Sequence, residues 1–409
     1  MRKVRWGLLV AAVVALGGAT QVGAMTDVAT SSAASPLKIG ISLPLTGRFS
    51  EPGTAAQRGY RLWAQLTNAR GGLLGRKVQL IIRDDGSDQN TIVSDYNRLI
   101  SEDHVDLLLG TFSSFLNLPA STVAERARMV FVAPAGGSPA LFARHYHYYF
   151  FAQQATAPHQ GDLFSAWIKR LPSSSRPTKV AYPVLNDPFA RPVADGIRAK
   201  LEAAGLQTVY NKIYPTDTTD FDTVATAIKA SGAQAIVNGA TFADGVGLIR
   251  SLIKVGYNPR VMFQTTAPTE SSEFPAAIGR ANTNGIIYAI SWAATGKGSK
   301  FPQNQLFLKT YKKQNGGKLP DEDAADAFAS AQVLAAAVKA VRKIDHDKMA
   351  DWLHSHPVRT ILGPISWDKD GAPRQAFFLG QWQRGKPQIV APKIIASTKK
   401  ILFPKPAWH

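Results

Sequence analysis

The sequence predicts an α/β protein made of two similar lobes, each with a parallel sheet covered by helices. Two observations carry this prediction. Short apolar runs alternate with amphipathic helical stretches from Leu37 onwards, which is the βαβα order typical of a parallel sheet. The same alternation restarts after an interruption near Phe151–His159. About 375 folded residues are also enough for two domains, each with its own apolar core.

The first block of this alternation contains four predicted strands and the helices between them. Apolar residues three or four positions apart mark the helices, for example Leu62, Trp63 and Leu66 after the first strand. Runs of consecutive apolar residues mark the strands, which are expected at Lys38–Leu43, Val78–Arg83, Val105–Leu109 and Met129–Ala133.

The second block has the same organisation, and a less regular C-terminal part follows it. Its strands are expected at Lys179–Val184, Thr208–Ile213, Ala235–Val237 and Val261–Gln264. The alanine-rich segment Ala324–Ala340 favours one long helix. Residues Ile361–Leu379 are expected to form a hairpin that turns at Asp368–Gly371.

The N-terminus has the pattern of a secretory signal peptide. Three basic residues precede an apolar run from Trp6 to Ala19, and small residues up to Ala24 suit a signal peptidase. The run is shorter than the roughly 20 apolar residues that a membrane span needs. We therefore expect residues 1–24 to be removed and residues 25–36 to form a disordered leader. The mature protein is expected to be soluble and periplasmic.

The composition restricts the chemistry of the protein and its partners. The chain has no cysteine, which excludes disulfides, thiolate metal sites, a cysteine nucleophile and a lipid anchor on an N-terminal cysteine. The formal net charge is +18, of which Arg2, Lys3 and Arg5 contribute three and leave with the signal. The remaining charge either attracts anionic solutes or an anionic membrane surface, or simply covers a solvated surface. Because the basic residues are scattered, no nucleic-acid partner is expected.

The loops after the strands of the first block form a candidate binding site, since ligands of open parallel sheets lie beyond the carboxyl ends of the strands. In the loop after the third strand, Gly110–Ser114, either Ser113 or Ser114 can cap the next helix. The free N–H groups of such a helix start suit a carboxylate, although serine also caps helices that bind nothing. In the next loop Gly136 and Gly137 either let the backbone approach a ligand or make an ordinary turn.

Motifs of the common enzyme classes are absent from the sequence. There is no G-x-S-x-G, no H-E-x-x-H, no P-loop and no G-x-G-x-x-G after the first strand. His145 and His147 share one face of a predicted strand, but no third residue has the spacing of a metal ligand. We therefore expect no enzymatic activity, no bound metal and no cofactor.

Short motifs follow one another along the mature chain in the order in which a known family has them. They are Lys38-Ile39-Gly40, Pro44–Gly47, Asn68–Val78, Asp84-Asp85, Ser113-Ser114, Pro134-Ala135, Gln160-Gly161, Gly363-Pro364 and Trp367-Asp368. Each motif is weak alone, but the ordered set is specific. With it the chain resembles the leucine/isoleucine/valine-binding family, the periplasmic solute-binding proteins of ABC importers. The resemblance implies the type I periplasmic binding fold, in which two Rossmann-like lobes are joined by a three-strand hinge.

The resemblance also implies how the chain is divided between the two lobes. The first lobe is expected at residues 37–155 and 286–362, and the second at residues 156–285 and 363–409. The crossovers between them are expected near 153–157, 285–291 and 362–367.

A protein of this family binds its solute between the lobes, and the solute favours the closed form because only there does it contact both lobes. The implied partners are a small carboxylated solute and the membrane permease and ATPase of an ABC importer. The binding protein itself is expected to be a monomer.

The family's ligand contacts match this sequence unevenly. The serine that holds the ligand carboxylate matches Ser114, whereas the hydroxyl and the acid that hold an ammonium fall on Gly137 and Thr266. An ammonium buried without an acceptor is costly, so these residues favour an aliphatic or aromatic acid over a standard amino acid, unless Glu51 or Asp326 supplies the acid. The expected ligand-binding residues are Phe49, Phe112, Ser113, Ser114, Ala135, Gly136, Gly137, Phe189, Phe242 and Thr266.

Each phenylalanine of the expected site fits the protein core as well as a binding pocket. Two other functions also remain open from the sequence. The same fold serves as a ligand sensor, or as an accessory protein of a periplasmic signalling or redox system. The other function is that of an enzyme, although no nucleophile and base have a recognisable arrangement.

Overall fold

Two large sheets organise the chain in the computed structural model, which describes residues 35–409. The expected signal peptide and nearly all of the expected leader lie outside the described residues. A third, two-stranded sheet is formed by β11 (Val358–Thr360) and β12 (Gly363–Ile365), which pair antiparallel.

The first large sheet has five strands in the order β2-β1-β3-β4-β5, and every neighbouring pair is parallel. Four of its strands lie where the apolar runs predict them. The strands are β1 (Leu37–Leu43), β2 (Val78–Asp84), β3 (Leu107–Leu109), β4 (Phe131–Ala133) and β5 (Tyr149–Phe151).

The second large sheet has seven strands in the order β14-β13-β10-β9-β8-β6-β7. The five from β7 to β10 are parallel, whereas β13 is antiparallel to β10 and to β14. The strands are β6 (Lys179–Leu185), β7 (Gln207–Tyr214), β8 (Ala235–Asn238), β9 (Val261–Gln264), β10 (Ile286–Ile290), β13 (Phe378–Gln383) and β14 (Lys386–Ala391).

Helices cover both sheets, and their apolar faces form separate core clusters on each side. In chain order they are α1 (Ser50–Asn68), α2 (Gln89–Ser101), α3 (Ser114–Arg126), α4 (Pro139–Phe142), α5 (Asp162–Arg170), α6 (Ala190–Glu202), α7 (Asp222–Ala230), α8 (Phe242–Lys254), α9 (Glu273–Ile278), α10 (Asn304–Gln314), α11 (Glu322–Val341) and α12 (His346–Ser355).

The two lobes share one strand order around the point where a ligand is expected. In the first lobe β1 lies between β2 and β3, and in the second β6 lies between β7 and β8, so each sheet has a topological switch point. Loops that leave such a point diverge to opposite faces of the sheet and open a crevice at the carboxyl ends of the strands. The predicted α/β class with two parallel-sheet lobes is confirmed.

The long helix α11 is the centre of the first lobe's core. It is long and apolar enough to cross a membrane by composition, but 78% of its most apolar window is buried inside the protein. It packs closely against α1, where Gly59 allows the two backbones to approach: a Cβ at this glycine would lie 2.0 Å from the carbonyl oxygen of Ala324. The predicted alanine-rich helix is therefore a core helix.

Three details of the C-terminal part differ from the sequence-based expectation. Residues 286–290, expected in the first lobe, form β10 in the middle of the second lobe's sheet. Trp367 still packs in the first lobe's core and Phe377 in the second, so the third crossover lies after residues 362–367. The expected 361–379 hairpin is wrong, because β13 pairs with β14 and only a single bridge closes the turn at 368–371. Apolar periodicity does not say which strands become neighbours.

Candidate functional site

A cavity of about 600 Å³, part of it open to solvent, lies between the two lobes at the carboxyl ends of both parallel sheets. The first lobe and the crossovers contribute Phe112, Ser113, Ser114, Ala135, Gly136, Gln153, Glu322 and Asp323, and the second lobe contributes Gln160, Asp187, Phe189, Thr241, Thr266, Thr269 and Ala289.

The start of α3 points into the cavity and is held in an unusual backbone conformation. Ser113, the N-cap residue, has a φ of 86°, and its Oγ accepts a hydrogen bond from the Leu116 N–H at 3.4 Å. Ser114 is fully buried, and its Oγ accepts a hydrogen bond from the Ser138 N–H at 3.1 Å. Left-handed backbone outside glycine is concentrated at functional sites. The free N–H groups and positive end of the dipole here suit an anionic ligand group.

Asn117, in the first turn of α3, ties the two first-lobe loops together. Its Nδ2 lies 2.7–2.9 Å from the carbonyl oxygens of Thr111, Ser113 and Ala135, to which its two N–H groups donate with one of them shared, and the residue is fully buried. Gly136 lies against the same point, where a Cβ would be 3.0 Å from both Asn117 Nδ2 and the Ser114 nitrogen. The loops after β3 and β4 are therefore fixed relative to each other.

The second lobe faces α3 with the loop between β6 and α6. Asp187 is almost fully buried, and its Oδ1 accepts hydrogen bonds from the N–H groups of Phe189 and Ala190 at 2.8 and 3.1 Å. Its Oδ2 has no hydrogen-bond partner within residues 35–409, and burial raises the pKa of its carboxyl. Thr266, which lines the cavity after β9, has a φ of 49°. Both lobes thus hold strained or desolvated groups at this surface.

An ion pair joins the lobes at the edge of the cavity. A guanidinium nitrogen of Arg48, in the loop after β1, lies 3.9 Å from Asp187 Oδ2 of the second lobe. The guanidinium also lies over the rings of Phe49 and Phe115, with its carbon 4.3 and 5.0 Å from the ring centroids. The first lobe thereby contributes a cation to the desolvated carboxylate of the second.

Part of the cavity lining is acidic. Glu322 and Asp323, in the first turn of α11, line the cavity, and burial raises the pKa of each carboxyl to about 7. The Glu322 carboxylate accepts a hydrogen bond from the N–H of Ser291, at the crossover after β10. Lysine, arginine and histidine are absent from the described residues that line the cavity. Glu322 and Asp323 are thus acidic residues of the cavity lining, whereas Gly137 and Thr266, the positions predicted for an ammonium, are not acidic.

Seven of the ten predicted site residues line the cavity: Phe112, Ser113, Ser114, Ala135, Gly136, Phe189 and Thr266. Their role as ligand contacts stays a prediction.

The other three predicted site residues lie outside the lining. Phe49 is buried in the first lobe's core, with its ring centroid 5.5 Å from that of Phe112. Phe242 packs against the second lobe's core, and its neighbour Thr241 lines the cavity instead. Gly137 accepts a hydrogen bond from the Ala157 N–H at 2.7 Å, and a Cβ there would lie 2.9 Å from that nitrogen. The absence of a side chain at Gly137 therefore lets the first crossover pass close to this loop.

Sequence reasoning missed eight lining residues, seven of them polar, that the second lobe, the crossovers and α11 bring to the cavity. Asp187 lies three residues after a predicted strand, which is a signal that could have found it. Glu322 and Asp323 carry no such signal, because they start a helix far away in the chain. Of the acids proposed as substitutes, Asp326 is hydrogen-bonded by Ser291 and Gln153, and Glu51 lines a separate pocket. The missed residues are Gln153, Gln160, Asp187, Thr241, Thr269, Ala289, Glu322 and Asp323.

The two histidines considered as metal ligands have other partners. His145 lies 2.8 Å from Asp370, and His147 lies 3.4 Å from Asp351. Within residues 35–409 there is no cluster of three or more histidine, aspartate or glutamate side chains suited to a metal ion.

The chain belongs to the periplasmic binding protein family, whose model matches residues 36–387. It is a family of solute-binding proteins. Among curated proteins the chain is similar to an amino acid binding protein of Pseudomonas aeruginosa, with 28% identity over 333 residues, 81% of this chain and 86% of the relative. It is also 26% identical to Leu/Ile/Val-binding protein homolog 3 of Brucella melitensis over 363 residues, 87% of this chain and 94% of the relative.

Solved structures agree with this assignment at the level of the fold. A leucine binding protein from Thermotoga maritima superposes with a TM-score of 0.78 at 18% identity, over 87% of this chain and 98% of that one. A branched-chain amino acid transporter substrate binding protein from Streptococcus pneumoniae, in complex with isoleucine, superposes with a TM-score of 0.75 at 20% identity, over 87% of this chain and 100% of that one. A solute binding protein from R. palustris, in complex with benzoate, superposes with a TM-score of 0.76 at 19% identity, over 90% of this chain and 99% of that one. The predicted family and fold are confirmed.

Proposed function

We propose that the protein is the periplasmic receptor of an ABC importer and captures a small carboxylated organic solute between its two lobes. The observation that carries this proposal is the start of α3, where Ser114 and free N–H groups face the interlobe cavity. Such a helix start stabilises a carboxylate through hydrogen bonds and through the helix dipole.

The two-lobed construction supports capture by closure. Residues of both lobes line the cavity, so a solute there makes its full set of contacts only when the lobes are together. A ligand shifts an equilibrium only by its difference in affinity for the two states, and here that difference comes from Asp187, Phe189 and Thr266 of the second lobe.

Two similar solved structures contain bound ligands, and these ligands support the proposed class of solute. The Streptococcus pneumoniae protein holds isoleucine and the R. palustris protein holds benzoate. Both compounds carry a carboxylate, which is the group that the start of α3 suits.

A thermal-shift screen of small carboxylic acids and amino acids tests the proposal. A solute that binds the folded state raises the melting temperature, whereas its methyl ester, which lacks the carboxylate, should leave it unchanged. Calorimetry then gives the dissociation constant of each hit. A screen in which esters shift the protein as strongly as acids would contradict a carboxylate site.

The role in import requires a separate measurement. Cells that lack this protein should lose high-affinity uptake of the solute found in the screen, and the intact protein should restore it. Unchanged uptake together with tight binding would instead favour a sensor or accessory role.

A further inference from the structure

A second cavity, of about 760 Å³ and partly open to solvent, lies on the first lobe between α1, α11 and β11. It shares no lining residue with the cavity between the lobes. Glu322, which lines the interlobe cavity, and Lys339, which lines the second one, lie near opposite ends of α11, about 25 Å apart along its axis. The second cavity is therefore a separate site.

Three cationic side chains line this second cavity, here called the basic cavity. Arg70 follows α1, Lys339 lies in the last turn of α11, and Arg359 lies on β11. None of the three forms an ion pair within residues 35–409, and the described residues that line the cavity include no aspartate or glutamate. A cleft lined by charges of one sign concentrates the opposite charge, so this cavity favours an anion.

Helix stabilisation accounts for only one of these cations. A basic residue in the last turn of a helix stabilises the helix dipole, which explains Lys339. The effect falls off beyond the last turn, and Arg70 lies outside α1 while Arg359 lies on a strand. The convergence of the three charges on one cavity therefore needs another reason.

Two buried neutral donors line the same cavity without a partner. Trp63 is 3% exposed and Gln332 is 8% exposed. Gln332 Oε1 accepts a hydrogen bond from the Ile361 N–H at 2.9 Å, which fixes the amide, but neither Gln332 Nε2 nor Trp63 Nε1 has a partner within the part of the chain that the structure describes. Both nitrogens keep some accessible surface. Because buried donors are nearly always hydrogen-bonded, these two indicate an acceptor that enters the cavity.

Apolar side chains form the rest of the wall beside these donors. The indole of Trp63 is accompanied by Phe328, Leu66, Ala335 and Ala336. Apolar and aromatic walls with a few convergent polar groups are typical of sites for organic molecules. An anion that carries an organic group therefore fits this cavity better than a bare inorganic ion.

The donors suit a phosphate group better than a carboxylate. A phosphate monoester offers three strong acceptor oxygens and close to two negative charges, whereas a carboxylate offers two oxygens and one charge. Guanidinium groups also match the geometry of phosphate oxygens with pairs of parallel hydrogen bonds.

We propose that the basic cavity is a second binding site of this protein and that it takes an organic phosphate. Arg70, Lys339 and Arg359 hold the phosphate group. The N–H groups of Trp63 and Gln332 donate to its oxygens, and the apolar wall contacts the organic part. A soluble phosphate ester and a phospholipid headgroup share this chemistry. The site does not depend on the solute that binds between the lobes.

Calorimetric titration of the full mature protein at about pH 7.5, where a phosphate monoester carries nearly two charges, tests the site. Phenyl phosphate should bind, and inorganic phosphate should bind more weakly because it lacks the apolar part. Phenol, which lacks the phosphate, should not bind. Phenol that binds as tightly as phenyl phosphate would overturn the proposal, and so would a protein that binds neither of the two phosphate compounds.

A charge-matched pair of double variants locates the bound phosphate. Arg70→Gln with Arg359→Gln should weaken phenyl phosphate at least about 10-fold, because charge-assisted hydrogen bonds are lost. Arg61→Gln with Arg126→Gln removes the same charge from exposed residues outside the cavity and should leave the affinity unchanged. Equal affinities of the two double variants would overturn the assignment. Both should bind the carboxylated solute like the parent, so this proposal and the proposed function can fail separately.

Substitution of the buried donors gives a second, independent comparison. Gln332→Glu keeps an acceptor for the Ile361 N–H but places a carboxylate oxygen where the donor was, so phenyl phosphate should bind at least about 10-fold more weakly. Gln332→Met, which removes the donor without adding a charge, should have a smaller effect. A Gln332→Glu protein that is folded by circular dichroism and binds phenyl phosphate like the parent would contradict the site.

Vesicle flotation distinguishes the two sources of the phosphate group. The vesicles contain phosphatidylcholine with about one-third phosphatidylglycerol, which gives an anionic surface. If a lipid headgroup enters the cavity, the Arg70→Gln, Arg359→Gln variant should float less than the Arg61→Gln, Arg126→Gln variant of equal net charge, and phenyl phosphate should compete with the vesicles. Equal flotation of the two variants, together with binding of phenyl phosphate, assigns the site to a soluble phosphate ester.

Discussion

Asn117 shows how a single side chain organises the carboxylate side of the cavity. Its amide donates to three carbonyl oxygens, in the loop after β3 and in the loop after β4. A buried network of this kind is stabilising only when all of its members are satisfied. The side chain therefore fixes the directions of the Ser114 and Gly136 backbone before any ligand arrives.

Substitution of Ser114, at the start of α3, tests whether this single residue contacts the solute. Ser114→Ala removes one hydroxyl from the cavity wall, so the affinity for a carboxylated solute should fall by about 1–3 kcal/mol, measured by calorimetry. Ser121→Ala is the matched control, because Ser121 is an equally buried serine of α3 that bonds to Asn117 and Arg144 outside the cavity. An affinity unchanged in Ser114→Ala would remove this residue from the site.

At the scale of elements, the position of α11 depends on its contact with α1. The approach at Gly59 brings the Ala324 carbonyl, and with it the acidic first turn, to the edge of the cavity. Propensity explains why residues 322–341 form a helix, but the glycine on another helix decides where this helix begins relative to the sheet.

Gly59→Ala tests this contact. A methyl group there would lie 2.0 Å from a carbonyl oxygen, so the helices must separate, and overpacking of this kind costs about 1–3 kcal/mol of unfolding free energy. Denaturant unfolding should show the loss. Arg61→Ala, on the exposed side of α1, should stay within about 0.5 kcal/mol of the parent. A Gly59→Ala variant as stable as the parent would show that the helices repack freely.

At the scale of the whole molecule, polar contacts join the lobes beside the cavity. Arg48 pairs with Asp187, and the Ser271 hydroxyl donates to the carbonyl oxygen of Pro320 at 3.1 Å. Both contacts connect residues of different lobes, so they form only when the lobes meet. The relative position of the lobes is therefore sensitive to the Arg48–Asp187 charge pair.

Arg48→Gln should shift the molecule towards the open form. The change leaves the buried Asp187 carboxylate without its cation, and a partly exposed pair contributes up to about 1 kcal/mol, so solute affinity should fall about 2- to 5-fold. Small-angle scattering should show a larger radius of gyration without solute. Lys254→Gln breaks an exposed ion pair with Asp222 inside the second lobe and should change neither. If the Arg48→Gln variant has the same radius of gyration as the parent without solute, this ion pair does not hold the lobes together.

The sequence by itself determined the α/β class, the positions of β1 to β4 and of β6 to β9, and the helix start at Ser113-Ser114. These follow from apolar periodicity and from short-range motifs such as Ser113-Ser114 at the start of α3, which act locally. The placement of β10 in the second sheet and the burial of Phe49 and Phe242 required the tertiary structure.

The acidic part of the cavity lining was decided by the tertiary structure alone. Glu322 and Asp323 lie more than 200 residues beyond Ser114 in the chain, and no local pattern relates them. Packing of α11 against α1 brings them to the cavity. The sequence therefore predicted a carboxylate site without acidic residues beside it, because the acids that line the cavity lie on an element whose position depends on long-range packing.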